Sequence, residues 1–268
     1  MPDLANKVAV VTGGGGVLCS TMCKALGENG AAVAVLDLKE DAAKKVADAI
    51  QAAGGKALAV QADVLNRESL ETAAEKIHQE LGTIDILING AGGNKAEATA
   101  GAEMSFFDIP ADAVQWVFNL NCLGTILPSQ VFVRDLVEKK EGRVINICSM
   151  AGIRPLTRVV AYSAAKAAVA NFTQWLAVHL AQEYSPKIRV NAIAPGFFLT
   201  TQNEYLLKEK SGEDTPRGKT IRDHTPAGEY GNPQDLVSTL LWLLDDASAF
   251  VTGTIIPVDG GFAAFSGV

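Results

Sequence analysis

One repeated unit constrains this chain more than any other feature: a short apolar run, closed by a glycine or an acid, then a helical stretch. Lys7–Val11 is such a run and ends in Thr12-Gly13-Gly14-Gly15-Gly16; a helical stretch from Val17 to Asn29 follows, with Gly30 as its C-terminal cap. Ala32–Leu36 ends at Asp37 and leads into the Ala- and Lys-rich stretch Glu40–Ala53. Lys56–Gln61 ends at Asp63, before a helix over Arg67–Leu81, and Ile84–Ile88 runs into Asn89-Gly90-Ala91-Gly92. Helices over Ala111–Lys140, Tyr162–Tyr184 and Pro233–Leu244 then alternate with strands Arg143–Cys148, Arg189–Ile193 and Gly253–Val258. This alternation builds βαβ units. It predicts a Rossmann-like α/β fold, a doubly wound parallel sheet with helices on both faces. Several strands are apolar at nearly every position, as a sheet covered on both sides requires.

No linker, repeat or low-complexity tract interrupts the pattern, which predicts one domain over residues 1–268. Two segments, Asn94–Asp108 and Phe197–Gly231, fit it poorly. The second is polar and holds Lys208, Lys210, Arg217, Lys219, Arg222 and His224, which read as surface charge. Long loops in a compact α/β domain serve as lids or binding loops, so about 197–231 is read as a substrate loop.

With 30 acidic against 23 basic side chains, the chain carries a net charge of -7. An acidic protein lacks the basic face that phosphate backbones need, which argues against nucleic-acid partners. No apolar run approaches the ~20 residues of a membrane span, and the first residues do not form a signal peptide. A cytoplasmic location without membrane contact is expected. Cys19, Cys23, Cys122 and Cys148 have neither zinc-site nor disulfide spacing and are read as reduced, buried thiols, with no metal site.

The glycine turn after the first strand opens a helix, so its backbone N–H groups can face a pyrophosphate without side chains in the way. Thr12, Gly13, Gly15, Gly16, Val17 and Leu18 are the candidates there. Asp37, at the end of the second strand, can accept hydrogen bonds from ribose hydroxyls and repel a 2'-phosphate, favouring NAD over NADP. Leu38 adjoins it, and Lys39 leaves room for NADP.

Tyr162 and Lys166 stand four residues apart and share one face of a helix. An ammonium beside a phenol favours the phenolate and lowers the tyrosine pKa, and a tyrosine so tuned exchanges a proton with an alcohol oxygen. Ser149 follows a strand at the carboxyl end of the sheet, where open α/β sheets bind ligands. Asn121 falls mid-helix, a position that asks for a reason.

Taken together, these residues resemble the short-chain dehydrogenase/reductase family over nearly the whole chain. The resemblance rests on Thr12-Gly13, Asp63-Val64, Asn89-Gly90-Ala91-Gly92, Asn121, Ser149, Tyr162, Lys166 and Pro195-Gly196. It implies that Tyr162 is the general acid/base, that Lys166 lowers its pKa and holds the nicotinamide ribose, and that Ser149 orients the substrate oxygen. It further implies that Asn121 fixes a water in a proton relay. Asp63 and Val64 would contact adenine, Asn89 to Gly92 would line the cofactor and steady the sheet, and Thr200 would lie near the nicotinamide amide. A homotetramer or homodimer is also implied. One departure stands out: Val17 and Cys19 occupy the second and third glycine positions of the family turn.

Thr12–Ser20, Asn171–Ala177 and Pro195–Thr200 resemble a subgroup of D-mannonate oxidoreductases, which interconvert D-fructuronate and D-mannonate. A sugar acid needs a cation for its carboxylate and polar groups for its hydroxyls. Lys95, Arg154, Arg158, Gln202 and Asn203 are the candidates. Phe106, Phe107 and Trp116 are read as core or interface, and Trp175 and Trp242 as packing residues. Another short-chain reductase, such as a gluconate 5-dehydrogenase or a 3-oxoacyl carrier-protein reductase, is the alternative enzyme. A non-catalytic dinucleotide-binding protein is the alternative of a different class.

Overall fold

The computed structural model describes residues 2–200 and 204–267. Seven parallel strands form one sheet: β1 Val8–Thr12, β2 Ala32–Asp37, β3 Lys56–Gln61, β4 Ile86–Asn89, β5 Gly142–Ile147, β6 Ile188–Pro195 and β7 Ile255–Val258, in the order β3-β2-β1-β4-β5-β6-β7. Helices α1 Val17–Glu28, α2 Glu40–Ala52 and α3 Arg67–Glu80 follow the first three strands. Next come α4 Ala111–Phe118, a π-turn at Asn119–Leu123, α5 Gly124–Lys139 and α6 Val160–Glu183. The short α7 Glu204–Leu207, α8 Pro216–His224 and α9 Asp235–Leu244 follow. This is the Rossmann-like, doubly wound α/β fold expected.

Each face of the sheet buries its own apolar layer. Met22, Leu26, Val46, Ile50, Leu240 and Leu243 of α1, α2 and α9 pack on one side. Leu70, Ile77, Phe132, Leu136, Leu176 and Leu180 of α3, α5 and α6 pack on the other. The central strands are therefore covered on both sides: β1 and β6 are buried at every residue. Burying one Leu or Ile from water is worth about 1.5–3 kcal/mol, so both layers are needed to offset chain entropy.

The stretch Ala111–Lys139 is one helical rod rather than two separate helices, because the π-turn carries the chain through Asn119–Leu123 without a break. By length and composition this rod could cross a membrane, yet 56% of its apolar window is buried inside the fold. The segment from Phe197 to Gly231 is more regular than its polar composition suggests. It contains α7 and α8, and α8 starts where Thr215 Oγ1 accepts a hydrogen bond from Gly218 N at 3.0 Å, with Pro216 in the first turn. All four cysteines are free and buried. Phe106, Phe107, Trp116, Trp175 and Trp242 are exposed, so none is core. They lie on outward surfaces of loops and helices, Trp175 stacking on His179 with centroids 4.8 Å apart.

The order of the strands reverses between β1 and β4, with α1 packed on one face and α5 on the other, the place where an open α/β sheet forms its ligand crevice. There the departure at Cys19 finds its structural partner. Cys19, in the first turn of α1, lies against Gly90 just beyond β4, and a Cβ added at Gly90 would overlap its sulfur. The small residue that allows close approach has moved from the helix to the facing turn. Gly90→Ala should cost about 1–3 kcal/mol by overpacking. In a Cys19→Ala background the same change should cost clearly less, with a remainder from Thr12 O, 2.8 Å from the added methyl. Urea unfolding of the four proteins measures the coupling; equal costs in both backgrounds would refute the steric pairing.

Candidate active site

The crevice is framed by residues that each strand delivers at its carboxyl end. Thr12 ends β1, and its Oγ1 accepts hydrogen bonds from Gly90 N at 3.1 Å and Ala91 N at 3.2 Å. The chain then turns through Gly13, whose φ of +63° is the left-handed conformation glycine adopts freely. Gly14 N donates to Leu36 O at 2.8 Å, binding the turn to β2. Helix α1 begins at Val17 with no side-chain cap and no acid in its first turn. Its leading N–H groups are thus free to meet an anion, as a helix start favours.

Asp37 closes β2 beneath this turn. Its Oδ2 accepts from Gly15 N at 3.1 Å and its Oδ1 from Lys39 N at 3.0 Å. A Cβ at Gly15 would stand 3.0 Å from Asp37 Oδ2 and 2.6 Å from the Ala42 methyl, so only glycine lets the carboxylate come this close. Each carboxylate oxygen keeps acceptor capacity for a ribose hydroxyl. The neighbouring Leu38 is exposed, and Val64, beyond β3, is buried against Gly124. Asp63 shapes the turn after β3 by accepting from Leu65 N at 2.9 Å. Anion-ready amides beside a ribose-ready carboxylate fit a dinucleotide.

Asn89 is placed differently from Gly90 to Gly92. Its Nδ2 donates to Ser129 Oγ at 3.0 Å and Asn146 Oδ1 at 2.9 Å, and Asn146 Nδ2 donates in turn to Thr173 Oγ1 at 2.9 Å. This buried amide chain ties β4 and β5 to α5 and α6, so the side chain steadies the sheet rather than facing the crevice. On the far side, Pro195 ends β6, Gly196 N donates to Val258 O at 2.9 Å, and Thr200 follows.

Four polar side chains gather near the end of β5. Ser149 follows β5, with its Oγ accepting from Ala151 N at 3.1 Å. Tyr162 and Lys166 lie one turn apart on α6, Lys166 Nζ standing 5.7 Å from the tyrosine ring centroid. Lys166 is buried, and its Nζ donates to Ile147 O at 2.8 Å. Asn121 sits in the π-turn, fully buried. Gly92 is where Asn121 and Lys166 meet: a Cβ there would lie 2.7 Å from Asn121 Oδ1 and 3.2 Å from Lys166 Nζ.

Two expectations change with these positions. Lys166 was read as lowering the tyrosine pKa, yet burial pushes Tyr162 up to about 12, against a smaller pull from the neighbouring Ser149. Burial likewise lowers the Lys166 pKa, with Cys148 and Cys19 opposing. In both groups desolvation is the largest cause, because burial removes water that the few polar neighbours do not replace. The Asn121 side chain is occupied, its Nδ2 donating to Gly93 O at 2.7 Å and Val117 O at 2.8 Å while Oδ1 accepts from Gly93 N at 3.2 Å. It pins the loop after β4, and the π-turn accounts for an asparagine in a helical rod.

The substrate candidates scatter. Lys95 Nζ lies over the Trp116 ring, 5.2 Å from its centroid. Arg154 is exposed, and Arg158 is exposed with a φ of +75°. Gln202 and Asn203 lie outside the described residues. Arg217, read from the sequence as surface charge, is instead partly buried, and its Nη1 reaches Thr157 Oγ1 at 3.5 Å. Burial first, then the Arg158 charge, lowers its pKa. A signal for it was present: Lys219 has an acid four residues on in Asp223, whereas Arg217 has Ile221.

Comparison with known proteins agrees with this geometry. Residues 7–211 match the short chain dehydrogenase family. An uncharacterised oxidoreductase of Bacillus subtilis (strain 168), UxuB, is 49% identical over 275 residues, covering 99% of this chain and 98% of its own. A 5-keto-D-gluconate 5-reductase of Escherichia coli (strain K12) is 32% identical, covering 97% of this chain and 96% of its own. Among solved structures, a candidate D-mannonate oxidoreductase from Haemophilus influenza with bound NAD superimposes with a TM-score of 0.94. It is 46% identical and covers 100% of this chain and 98% of its own. The match in family, sequence and fold runs through the crevice just described, and the chain belongs to the short-chain dehydrogenase family of oxidoreductases.

Proposed function

We propose that this enzyme uses NAD to interconvert a keto sugar acid and its alcohol, D-fructuronate and D-mannonate, with Asn121, Ser149, Tyr162 and Lys166 as its working residues. The observation that carries the chemistry is the Ser149–Tyr162–Lys166 cluster at the carboxyl end of β5, with Ser149 near enough to the phenol to favour its ionised form and a buried lysine 5.7 Å from its ring centroid. The D-mannonate oxidoreductase with bound NAD that shares this fold supports the choice of substrate and cofactor.

The nicotinamide, when bound, supplies or takes the hydride, and its oxidised form carries a positive charge. In the reductive direction Ser149 and Tyr162 hold the carbonyl oxygen. The Tyr162 phenol gives its proton to that oxygen as the carbon receives the hydride. In the oxidative direction the same oxygen on Tyr162 takes the alcohol proton. Lys166 offers a cation beside the phenol and a donor for a ribose hydroxyl. Asn121 holds Gly93, and so the loop after β4, in place. Asp37 would accept from the adenosine ribose, and the amides of Val17 and Leu18, at the uncapped start of α1, would meet the pyrophosphate. Asp63 and Val64 would border the adenine, and Pro195, Gly196 and Thr200 would border the nicotinamide. The exposed Trp175, Trp242 and Phe250 support assembly into a homo-oligomer.

Parallel assays of NADH and NADPH oxidation against D-fructuronate, D-tagaturonate, 5-keto-D-gluconate and an acetoacetyl thioester test the reading. Fastest turnover of D-fructuronate with NADH is expected; activity confined to another ketone would discard the substrate and keep the mechanism. Tyr162→Phe should lose about 10²–10⁴-fold in kcat with NADH binding retained, since it removes only the proton carrier. Full turnover in that variant would defeat the proton role. Alcohol oxidation needs the phenolate, and burial holds Tyr162 protonated up to about 12, so the oxidation rate should climb with pH while ketone reduction is favoured toward neutral pH. A flat oxidation profile would count against Tyr162 as the base. Asp37→Ala should weaken NAD binding and narrow its advantage over NADP, as titration of each cofactor would measure.

A further inference from the structure

The charges of the segment around α8 sort themselves. Asp214 receives Lys208 Nζ at 2.8 Å, Arg222 Nη1 at 3.0 Å and the Tyr230 hydroxyl at 3.1 Å. Lys219 pairs with Asp223 at 2.7 Å, and Lys210 is exposed. Arg217 alone among these is turned inward without a carboxylate in salt-bridge range among the described residues. It points at the loop joining Ser149 to Tyr162, meeting Thr157 Oγ1 at 3.5 Å. The next residue of that loop is Arg158, which also has no acidic partner among the described residues.

Three unfavourable features coincide here. Two guanidinium groups are close enough to repel each other. Arg217 stands in the first turn of α8, where the helix dipole disfavours a cation and no acid compensates. Arg158 adopts φ +75°, a conformation that side chains larger than glycine's rarely take, held by Ala100 N donating to its carbonyl at 2.8 Å. The Thr215 cap and the Asp214 cluster keep α8 from swinging away. Strain and uncompensated charge persist where surrounding structure enforces them, and an anion between the two arginines would relieve both electrostatic terms. The planar donor fork of each guanidinium matches a carboxylate. Arg158 lies on the chain between Ser149 and Tyr162, four residues before the tyrosine, and Arg217 reaches the same loop from α8.

We propose that Arg217, with Arg158, forms the subsite that receives the substrate's carboxylate, and that Arg217 sets the preference for sugar acids over uncharged sugars. This rests on the sugar-acid reading above and adds to it a residue contributed by α8.

Steady-state kinetics with NADH on D-fructuronate, 5-keto-D-gluconate and the uncharged D-fructose test it. In Arg217→Gln and Arg158→Gly the ratio of acid to neutral kcat/KM should fall at least about tenfold, mainly through KM for the acid. Arg217→Lys should restore part of the ratio, since it keeps the charge and loses the fork. Arg158→Gly should melt no lower than the parent, because glycine takes φ +75° without strain; this separates lost recognition from lost stability. An unchanged ratio in both variants, with D-fructuronate still turned over, would overturn the subsite and leave the proposed activity standing. Arginine-dependent turnover of 5-keto-D-gluconate alone would do the reverse. Calorimetry showing that the NADH-loaded parent binds neither acid would sink both.

Discussion

At the centre of the sheet β1 and β4 run side by side, although α1, two further strands and two further helices separate them along the chain. One hydroxyl joins their ends: Thr12 Oγ1 accepts from the amides of Gly90 and Ala91. Those amides belong to the loop that must face a ligand, so they have no ladder partner of their own. Without Thr12, two partly buried donors would turn to water or reorient the loop. Its acceptor fixes Gly90 against Cys19 and starts Gly92 and Gly93 on the path that meets Asn121. Much of the crevice wall therefore hangs on a single side-chain oxygen at the point where the strand order reverses.

Burial is the second organising constraint. Apolar layers cover both faces of the sheet, so the polar groups near its carboxyl edge sit in a largely desolvated setting. Lys166 is held there by one carbonyl, that of Ile147, and Tyr162 packs on the apolar group of Ala98, Ala113 and Val117. In such surroundings a charge is expensive and a new charge nearby has large effect. A phenol and an amine both held toward their neutral forms form a site whose protonation responds strongly to what binds beside it. The same dryness keeps the four thiols inert: burial raises the Cys19 pKa to about 12, against the pull of Lys166.

The parts of the molecule that were legible in the sequence share a cause. Strands buried on both faces must be apolar throughout, so their ends could be read directly, and Gly13, Asp37, Ser149 and Tyr162 were placed by counting from those ends. What was hidden depends on contacts between distant segments. That Cys19 can replace a glycine is decided by Gly90. The inward turn of Arg217 is decided by Asp214, which draws off Lys208 and Arg222. Helix α8 was missed although Thr215-Pro216 is a sound start signal, because its polar sequence shows no apolar stripe. The lysine's effect on Tyr162 was read from spacing alone, and spacing carries no information about desolvation.

The π-turn has one more consequence. A regular helix advances about 100° per residue, so one surplus residue rotates everything after it relative to everything before. In Ala111–Lys139 that phase break falls between α4, which packs on α6 and the Ala96–Ala98 turn, and α5, which packs on α3, α6 and the sheet. A rod of uniform pitch could present its apolar stripe to only one of these two surroundings. The surplus residue lets a single piece of chain serve both. Asn121 stands at the dislocation itself, so its hold on Gly93 is also the clamp that keeps the two phases from annealing into one.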